Sequence, residues 1–130
     1  MRIFISQPMT GRTESEIMHE RECIINEIKG RNADVEIDFV ATTYDRDHAR
    51  NHPLDMLGNC IKKLAQADKV LFVKGWEKSN GCRIEHMCAV TYGIPCMYID
   101  HWKEIPIESV YISGSAIALA PELRFSTRGE

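Results

Sequence analysis

Glu85 is the residue of this sequence best placed to do chemistry. It lies about one turn into a predicted helix that follows the apolar run 70–73 and a polar, glycine-bearing loop at 74–79. The macrodipole of a helix stabilises an ionised carboxylate near its N-terminus, which would keep Glu85 available as a nucleophile or a base. The same effect makes glutamate common in first turns, so position alone favours a purely structural role.

Two predicted loops offer groups that could bind a ligand beside Glu85. In the first, Thr10 carries a hydroxyl, Gly11 permits close backbone approach and Arg12 could pair with a phosphate. In the second, Ser79 and Gly81 open the helix of Glu85, where backbone amides can hold an anion or a sugar hydroxyl. A plain turn and an ordinary helix cap would explain the same residues.

Alternating strand and helix signals position these residues. Apolar runs predict strands at 2–6, 34–40, 69–73 and 96–99, and helical spacing predicts helices at 13–30, 53–66 and 80–92. The order predicts one α/β domain over 1–130: a three-layer sandwich with a mainly parallel sheet and helices on both faces. The loops after the first three strands should then open on one edge, where such sheets bind ligands.

Some segments of the chain lie outside this regular alternation of strands and helices. The polar segment 42–52 is expected to be a surface loop, and 110–112 is a candidate fifth strand at the edge of the sheet. The core should span about 1–99, with 100–130 as a C-terminal extension that could contact a partner.

Composition restricts the class of protein. The chain has 130 residues, 44% of them apolar, and a formal charge of −3 without a basic cluster, which argues against binding to nucleic acid. No apolar stretch approaches the roughly 20 residues of a membrane span, and the chain begins directly in a predicted strand rather than a signal peptide. The five cysteines contain no C-x-x-C pair, which predicts free thiols, no zinc site and a cytoplasmic protein.

For the other residues that could do chemistry, a structural explanation is stronger than a functional one. Trp76 could stack on a base but is more simply a packing residue that shapes its loop. His48 and His52 have helical metal-ligand spacing, but they lie in the predicted loop and lack an H-E-x-x-H signature. Asp68 precedes a strand at the edge opposite the crevice, and we assign no role to His86.

Two motifs resemble one known group of proteins. ISQPMTG at 5–11 is similar to an I-S-G-P-M-T-G opening, and AD at 67–68 followed by GWEKSNGCRIE at 75–85 is similar to A-D…G-W-x-x-S-x-G-A-x-x-E. Both patterns occur in the nucleoside 2-deoxyribosyltransferase-like superfamily, which has a Rossmann-like fold. This group includes deoxyribosyltransferases, 2′-deoxynucleoside 5′-monophosphate N-glycosidases and a short, often phage-associated branch, to which the chain is most similar.

The resemblance implies a reaction and a set of site residues. Glu85 would be the nucleophile that attacks the anomeric carbon of the sugar and displaces the base, with no metal and no cofactor. Ser79 matches the monophosphate glycosidases, which favours hydrolysis over transfer. The implied substrate-binding residues are Ser6, Gln7, Pro8, Met9, Thr10, Gly11, Arg12, Gly75, Trp76, Ser79 and Gly81. The ligand would be a nucleoside or nucleotide, and relatives commonly form homo-oligomers.

Two departures from the family pattern leave alternatives open. Active relatives carry an aspartate where this chain has Cys60, and a glycine where it has Gln7. A thiol lacks the charge and the two strong acceptors of a carboxylate. Asp45 or Asp47 could replace it from the preceding segment. The alternatives are a non-catalytic nucleotide-binding protein on the same fold and a structural protein that binds no small molecule.

Overall fold

The computed structural model describes residues 1–42 and 45–99, and the backbone of two short strands within 112–117. Its elements are β1 (Arg2–Ser6), α1 (Glu14–Arg31), β2 (Asp38–Phe39), α2 (Arg46–Asn51), α3 (Pro53–Leu64), β3 (Lys69–Val73), a 3-10 turn (Trp76–Lys78), α4 (Asn80–Thr91), β4 (Cys96–Ile99), β5 (Ile112–Ser113) and β6 (Ala116–Ile117).

The first four strands form one parallel sheet in the order β2-β1-β3-β4. The chain moves outward from β1 to β2 and, in the opposite direction, from β3 to β4. The strand order therefore reverses between β1 and β3, where Ser6 lies opposite Phe72. In open α/β sheets this switch point is where ligands bind, outside the carboxyl ends of the strands.

Helices cover both faces of the sheet, as predicted. Alternate residues of β1 point to opposite faces: Ile3 and Ile5 pack with Ile24 and Ile28 of α1. Phe4 packs on the other face, in a cluster that contains Leu64 of α3 and residues of α4. The α/β fold with a four-stranded parallel sheet and helices on both faces is confirmed.

The two ends of α1 follow from its sequence. Thr13 caps the helix, because its Oγ1 accepts a hydrogen bond of 3.1 Å from the backbone N of Glu16. The helix continues one residue past Gly30 and ends at Arg31. Arg21, which interrupts the apolar stripe, is buried and donates from Nη2 to the carbonyl of Val40 at 2.7 Å. It therefore connects α1 to the segment after β2.

Two sequence-based predictions between β1 and α3 are wrong in detail. Only Asp38 and Phe39 of the predicted strand 34–40 pair with β1. Val35 and Ile37 keep the apolar alternation because they pack against the core, not because they extend the ladder. The predicted loop 42–52 contains α2, a helix capped by Asp45, whose Oδ1 accepts from the backbone N of His48 at 3.0 Å.

Ile112, the one described residue of the predicted fifth strand 110–112, does not belong to the main sheet. Residues 110 and 111 lie outside the described part of the chain, and Ile112 begins β5. That strand pairs antiparallel with β6 in a separate two-stranded sheet, with Ile112 opposite Ile117. The rest of the extension at 100–130 also lies outside the described residues. Within the described residues, no helix has both the length and the apolar character needed to cross a membrane.

Candidate functional site

Glu85 is a buried carboxyl group at the junction of α4 and β1. The residue is 6% exposed, and Ser6 Oγ donates a hydrogen bond of 2.7 Å to Glu85 Oε1. Ser6 is the last residue of β1, and alternation along that strand points it to the face that α4 covers. The sequence therefore brings together two polar side chains that lie 79 positions apart.

Burial changes the acidity of this carboxyl group. Loss of solvation raises the pKa of Glu85 to about 7, and the hydrogen bond from Ser6 opposes that rise by stabilising the carboxylate. About half of the molecules would then carry an ionised Glu85 near neutral pH. A poorly solvated carboxylate interacts strongly with any positive charge that develops beside it.

Glu85 lines a cavity of about 220 Å³ at the switch point of the sheet. The segments that follow β1, β2 and β3 all contribute to its wall, as the predicted topology requires. The described lining residues are Gln7, Met9, Thr10, Ala49, Pro53, Met56, Leu57, Cys60, Ser79, Gly81, Cys82 and Glu85. Six of them belong to the predicted site: Gln7, Met9, Thr10, Ser79, Gly81 and Glu85.

The remaining predicted residues of the first loop do not line this cavity. Arg12 Nη1 donates to Glu20 Oε1 at 2.9 Å and to the carbonyl of Pro8 at 3.0 Å. Gln7 Nε2 donates to the same Glu20 oxygen at 3.0 Å and to the carbonyl of Ile17 at 3.1 Å. The loop is thus tied to α1, and its cation is already paired.

Glycines shape the two loops that meet at the cavity. Gly11 has a φ of 78° and Gly75 a φ of 92°, which side-chain-bearing residues rarely adopt. A Cβ at Gly75 would lie 3.4 Å from Pro8 Cγ, so the two loops are in close contact there. The described wall of the cavity does not include Gly75, Pro8 or Gly11. These residues instead set the backbone conformation and the contact of the two loops beside the cavity.

Trp76 packs beside the cavity and does not line it. It is buried, and its ring centroid lies 4.3 Å from that of His86 and 5.2 Å from that of Phe72. His86 Nε2 also makes a 2.5 Å hydrogen bond with Tyr98 Oη. The packing interpretation of Trp76 fits these contacts. His86, to which the sequence assigned no role, is part of this aromatic cluster.

Ser79 fixes the start of α4. Its Oγ accepts from the backbone N of Cys82 at 3.3 Å, which makes it the N-cap. Ser79 and Gly81 both line the cavity, so the first turn of a 12-residue helix borders the same space as Glu85. The partial positive charge of that turn favours an anionic or strongly polar ligand group there.

Of the wall that α3 contributes, the sequence singled out only Cys60, as the position of an aspartate in active relatives, and it missed Pro53, Met56 and Leu57. Pro53, Met56, Leu57 and Cys60 line the cavity, and they recur at the spacing of one helix face. The helical spacing of these residues is evident in the sequence, but a helix face that lines a cavity has the same spacing as one that packs in the core. Cys82 and Ala49 were also missed and carry no signal of their own.

Cys60 lines the same cavity as Glu85, and the charge of Glu85 acts on its thiol. Burial chiefly, and then the charge of Glu85, raises the pKa of Cys60 to about 11, so the group is a neutral thiol at physiological pH. Asp55 and Asn59 do not line the cavity. Asp45 and Asp47 were the two candidates to replace the missing carboxylate. Asp45 caps α2 and lines a neighbouring cleft of about 420 Å³, and Asp47 lines neither that cleft nor the cavity of Glu85.

The remaining polar candidates have local partners. His48 Nε2 lies 2.6 Å from Asp55 Oδ2, and the ring centroids of His48 and His52 are 5.3 Å apart. Asp68 Oδ2 accepts from the backbone N of Arg2 at 2.8 Å, which joins the starts of β1 and β3. The described residues contain no group of three or more His, Cys, Asp or Glu side chains arranged to hold a metal ion.

A larger cavity, of about 480 Å³, lies beside the edge strand β2. Its charged lining residues, among them Arg2, Lys29 and Asp38, are exposed, and none of its described lining residues belongs to the predicted site. The smaller cavity is the better candidate because it contains a buried carboxyl group at the switch point of the sheet.

Fold and cavity define a small α/β protein with a ligand-sized space at the switch point of a parallel sheet. Comparison with family models assigns the chain itself: it belongs to the DUF4406 family, a domain family of unknown function, whose model matches residues 1–98. That match covers the four-stranded sheet except its last residue, Ile99, and it covers every described residue that lines the cavity. No curated protein and no solved structure matches the chain.

Proposed function

We propose that this protein cleaves the N-glycosidic bond of a nucleoside or a nucleoside 5′-monophosphate, with Glu85 as the nucleophile. The observation that carries the proposal is the position of Glu85: buried, oriented by Ser6 and facing a cavity at the switch point of the sheet. The motifs that resemble nucleoside 2-deoxyribosyltransferase-like proteins supply the substrate class.

The proposed reaction has two displacements. The Glu85 carboxylate attacks the anomeric carbon, and the C–N bond breaks with its electron pair leaving on the base, which takes a proton from water. The transition state resembles an oxocarbenium ion, and a poorly solvated carboxylate stabilises that positive charge. Water then attacks the anomeric carbon of the glycosyl ester, the bond to the Glu85 oxygen breaks, and the proton of that water neutralises the hydroxide left by the first step. A second base in place of water would give transfer instead.

The raised pKa of Glu85 is compatible with this role. A more basic carboxylate is a better nucleophile once ionised, and a pKa of about 7 leaves it ionised above neutral pH. The activity should therefore fall as the pH decreases below about 7.

A non-catalytic nucleotide-binding protein is the second candidate, and Cys60 favours it. This neutral thiol lines the cavity at the position where active relatives carry an aspartate. The cavity would then still hold a nucleotide, but no carboxylate among its described lining residues would accompany Glu85.

We also propose that the protein is cytoplasmic and forms a homo-oligomer. Five free cysteines support a cytoplasmic protein. Ile84, Met87 and Tyr92 are exposed apolar side chains on or just after α4, and they support a homo-oligomer.

Chromatography of reaction mixtures tests the two candidates. The protein is incubated with ribo- and deoxyribonucleosides and their 5′-monophosphates, with and without an acceptor base. We expect free base to be released, and Glu85→Gln to reduce its rate by at least about 10³-fold, since it removes a nucleophile. Glu22→Gln, the same change at an exposed position of α1, is the control and should keep full activity.

The same experiment separates the alternatives. Base release that is equal in Glu85→Gln and in the unmodified chain would overturn the nucleophile assignment. A swapped base would identify a transferase. Absence of turnover together with a thermal shift by one of these ligands would establish the binding protein.

A further inference from the structure

The cavity that contains Glu85, called the Glu85 cavity below, adjoins a second space to which the proposed reaction assigns no role. A cleft of about 420 Å³ shares Met56 and Cys60 with the cavity, so the two spaces meet along one face of α3. The other described residues that line the cleft are polar: Asp45, His48, Asn59, Lys62, Lys63 and Gln66.

The cleft supplies the positive charge that the cavity lacks. None of the described residues that line the cavity is basic. Arg12, the cation expected beside the ligand, is paired with Glu20. In the cleft, Lys62 and Lys63 form no ion pair with any described residue.

The acidic groups near the cleft are already engaged. The carboxylate of Asp45 accepts the backbone N–H of His48 as the cap of α2. Asp55 is paired with His48 at 2.6 Å. Neither carboxylate is paired with a lysine, so both ammonium groups are available to an anion.

Cys60 connects the two spaces electrostatically as well as sterically. The charges of Glu85 and Lys63 both act on its thiol, with opposite effects on the pKa of Cys60. The carboxylate and the lysine therefore lie within electrostatic range of one side chain. A ligand that passes Cys60 would have its two ends in environments of opposite charge.

We propose that Lys62 and Lys63 form a phosphate subsite of the Glu85 cavity. The nucleoside part of the ligand lies against Glu85, and its phosphate passes Met56 and Cys60 to reach the two ammonium groups. Lysine ammonium groups bind phosphate as point charges. The subsite lies on α3, not on the loop that contains Thr10, Gly11 and Arg12. This inference rests on the proposed function for the identity of the ligand.

Steady-state kinetics with a matched pair of substrates test the subsite. The specificity constant kcat/KM is measured for a nucleoside 5′-monophosphate and for its parent nucleoside. We expect Lys62→Gln/Lys63→Gln to lose at least about tenfold on the monophosphate, because charged hydrogen bonds are removed, and less than about twofold on the nucleoside. The loss should shrink as salt is added.

A second double variant controls for charge. Lys29→Gln/Lys74→Gln removes the same two charges from exposed residues that line neither the cavity nor the cleft. It should leave both substrates unaffected. Equal losses in the two double variants would overturn the subsite and indicate a general effect of net charge.

Equilibrium binding separates this inference from the proposed function. If no base is released, calorimetric titration with the same monophosphate replaces kinetics. Binding that is lost in Lys62→Gln/Lys63→Gln and kept in the control would support the subsite even though the glycosidase reaction has failed. Turnover or binding with an unchanged preference for the monophosphate would overturn the subsite alone. Absence of any nucleotide binding would overturn both.

Discussion

The two faces of the parallel sheet pack against different kinds of side chain. The face covered by α1 is aliphatic: Ile3, Ile5, Ile24, Ile28, Ile37, Leu71, Val73, Met97 and Ile99 form its buried cluster. The face covered by α3 and α4 is aromatic and sulfur-rich: Phe4, Val40, Leu64, Val70, Phe72, Trp76, Cys82, Ala89, Cys96 and Tyr98. Ser6 and Glu85 lie on this second side.

This difference separates a stabilising face from a face that can carry a site. The aliphatic side chains of the cluster under α1 bury apolar area without polar groups that need partners. Arg21, the buried polar side chain of α1, lies outside the cluster and donates to the carbonyl of Val40. The other face accommodates a buried carboxyl group, which burial destabilises in its charged form. The comparison therefore predicts that substitutions under α1 change stability alone, whereas changes at Ser6 and Glu85 alter ionisation as well.

Truncation under α1 should have the largest effect on stability. Ile24 is fully buried, so Ile24→Ala should lower the free energy of unfolding by about 2–5 kcal/mol, from lost burial and the cavity left behind. Urea denaturation measures this loss. Met18→Ala, on the same helix but 49% exposed, is the control and should cost less than about 1 kcal/mol. A shifted pKa of Glu85 in Ile24→Ala would contradict the separation of the two faces.

The pH dependence of stability should show the cost of burying Glu85. Its pKa is raised from 4.5 in the unfolded reference to about 7 in the folded chain. Between these values the unfolded chain has released the proton and the folded chain still holds it, so the free energy of unfolding falls as the pH rises. The total fall is about 3 kcal/mol, complete near pH 7, at roughly 1.4 kcal/mol per unit.

Glu85→Gln supplies the reference for that measurement. Its amide does not titrate, so the difference in unfolding free energy between the two chains isolates the carboxyl group. Chemical denaturation from pH 4 to 8 should show the unfolding free energy of the unmodified chain falling relative to that of Glu85→Gln between pH 4.5 and about pH 7, and then levelling off. A constant difference across the range would mean that Glu85 is not buried as a titrating group.

Local sequence signals predicted the sheet and its helices because their periodicity reflects packing. Lys69–Val73 and Cys96–Ile99 were predicted with the observed bounds, since both are short runs between clear helix ends. The strand around Ile37 was overestimated because apolar alternation records which side chains are buried, not which backbone groups pair. The helix α2 was missed because its polar residues carry no periodic apolar face.

The candidate site was predictable only in part. Glu85, Ser79 and Gly81 follow from one continuous motif at a helix start, so the sequence places them together. The contact between Ser6 and Glu85 depends on which face of the sheet Ser6 points to and on which helix covers that face. Arg12 was expected beside the ligand, but it pairs with Glu20. Such contacts join residues from different elements, and one-dimensional spacing does not encode them.

Ser6→Ala should produce the smallest of these energetic effects but the most specific one. The Ser6 hydroxyl stabilises the charged form of Glu85, so its removal should raise the pKa of Glu85 further, by about 1 unit for a charged hydrogen bond of roughly 1.5 kcal/mol. If Glu85 is the nucleophile, kcat/KM at pH 7 should fall several-fold more than at pH 9, where the carboxylate is ionised in both chains. The pH profile of kcat/KM measures this shift, and Ser15→Ala, an exposed serine of α1, should leave the profile in place. A uniform decrease at every pH would show that Ser6 acts only through packing, and the distinction between the two faces would then be one of composition without a difference in chemistry.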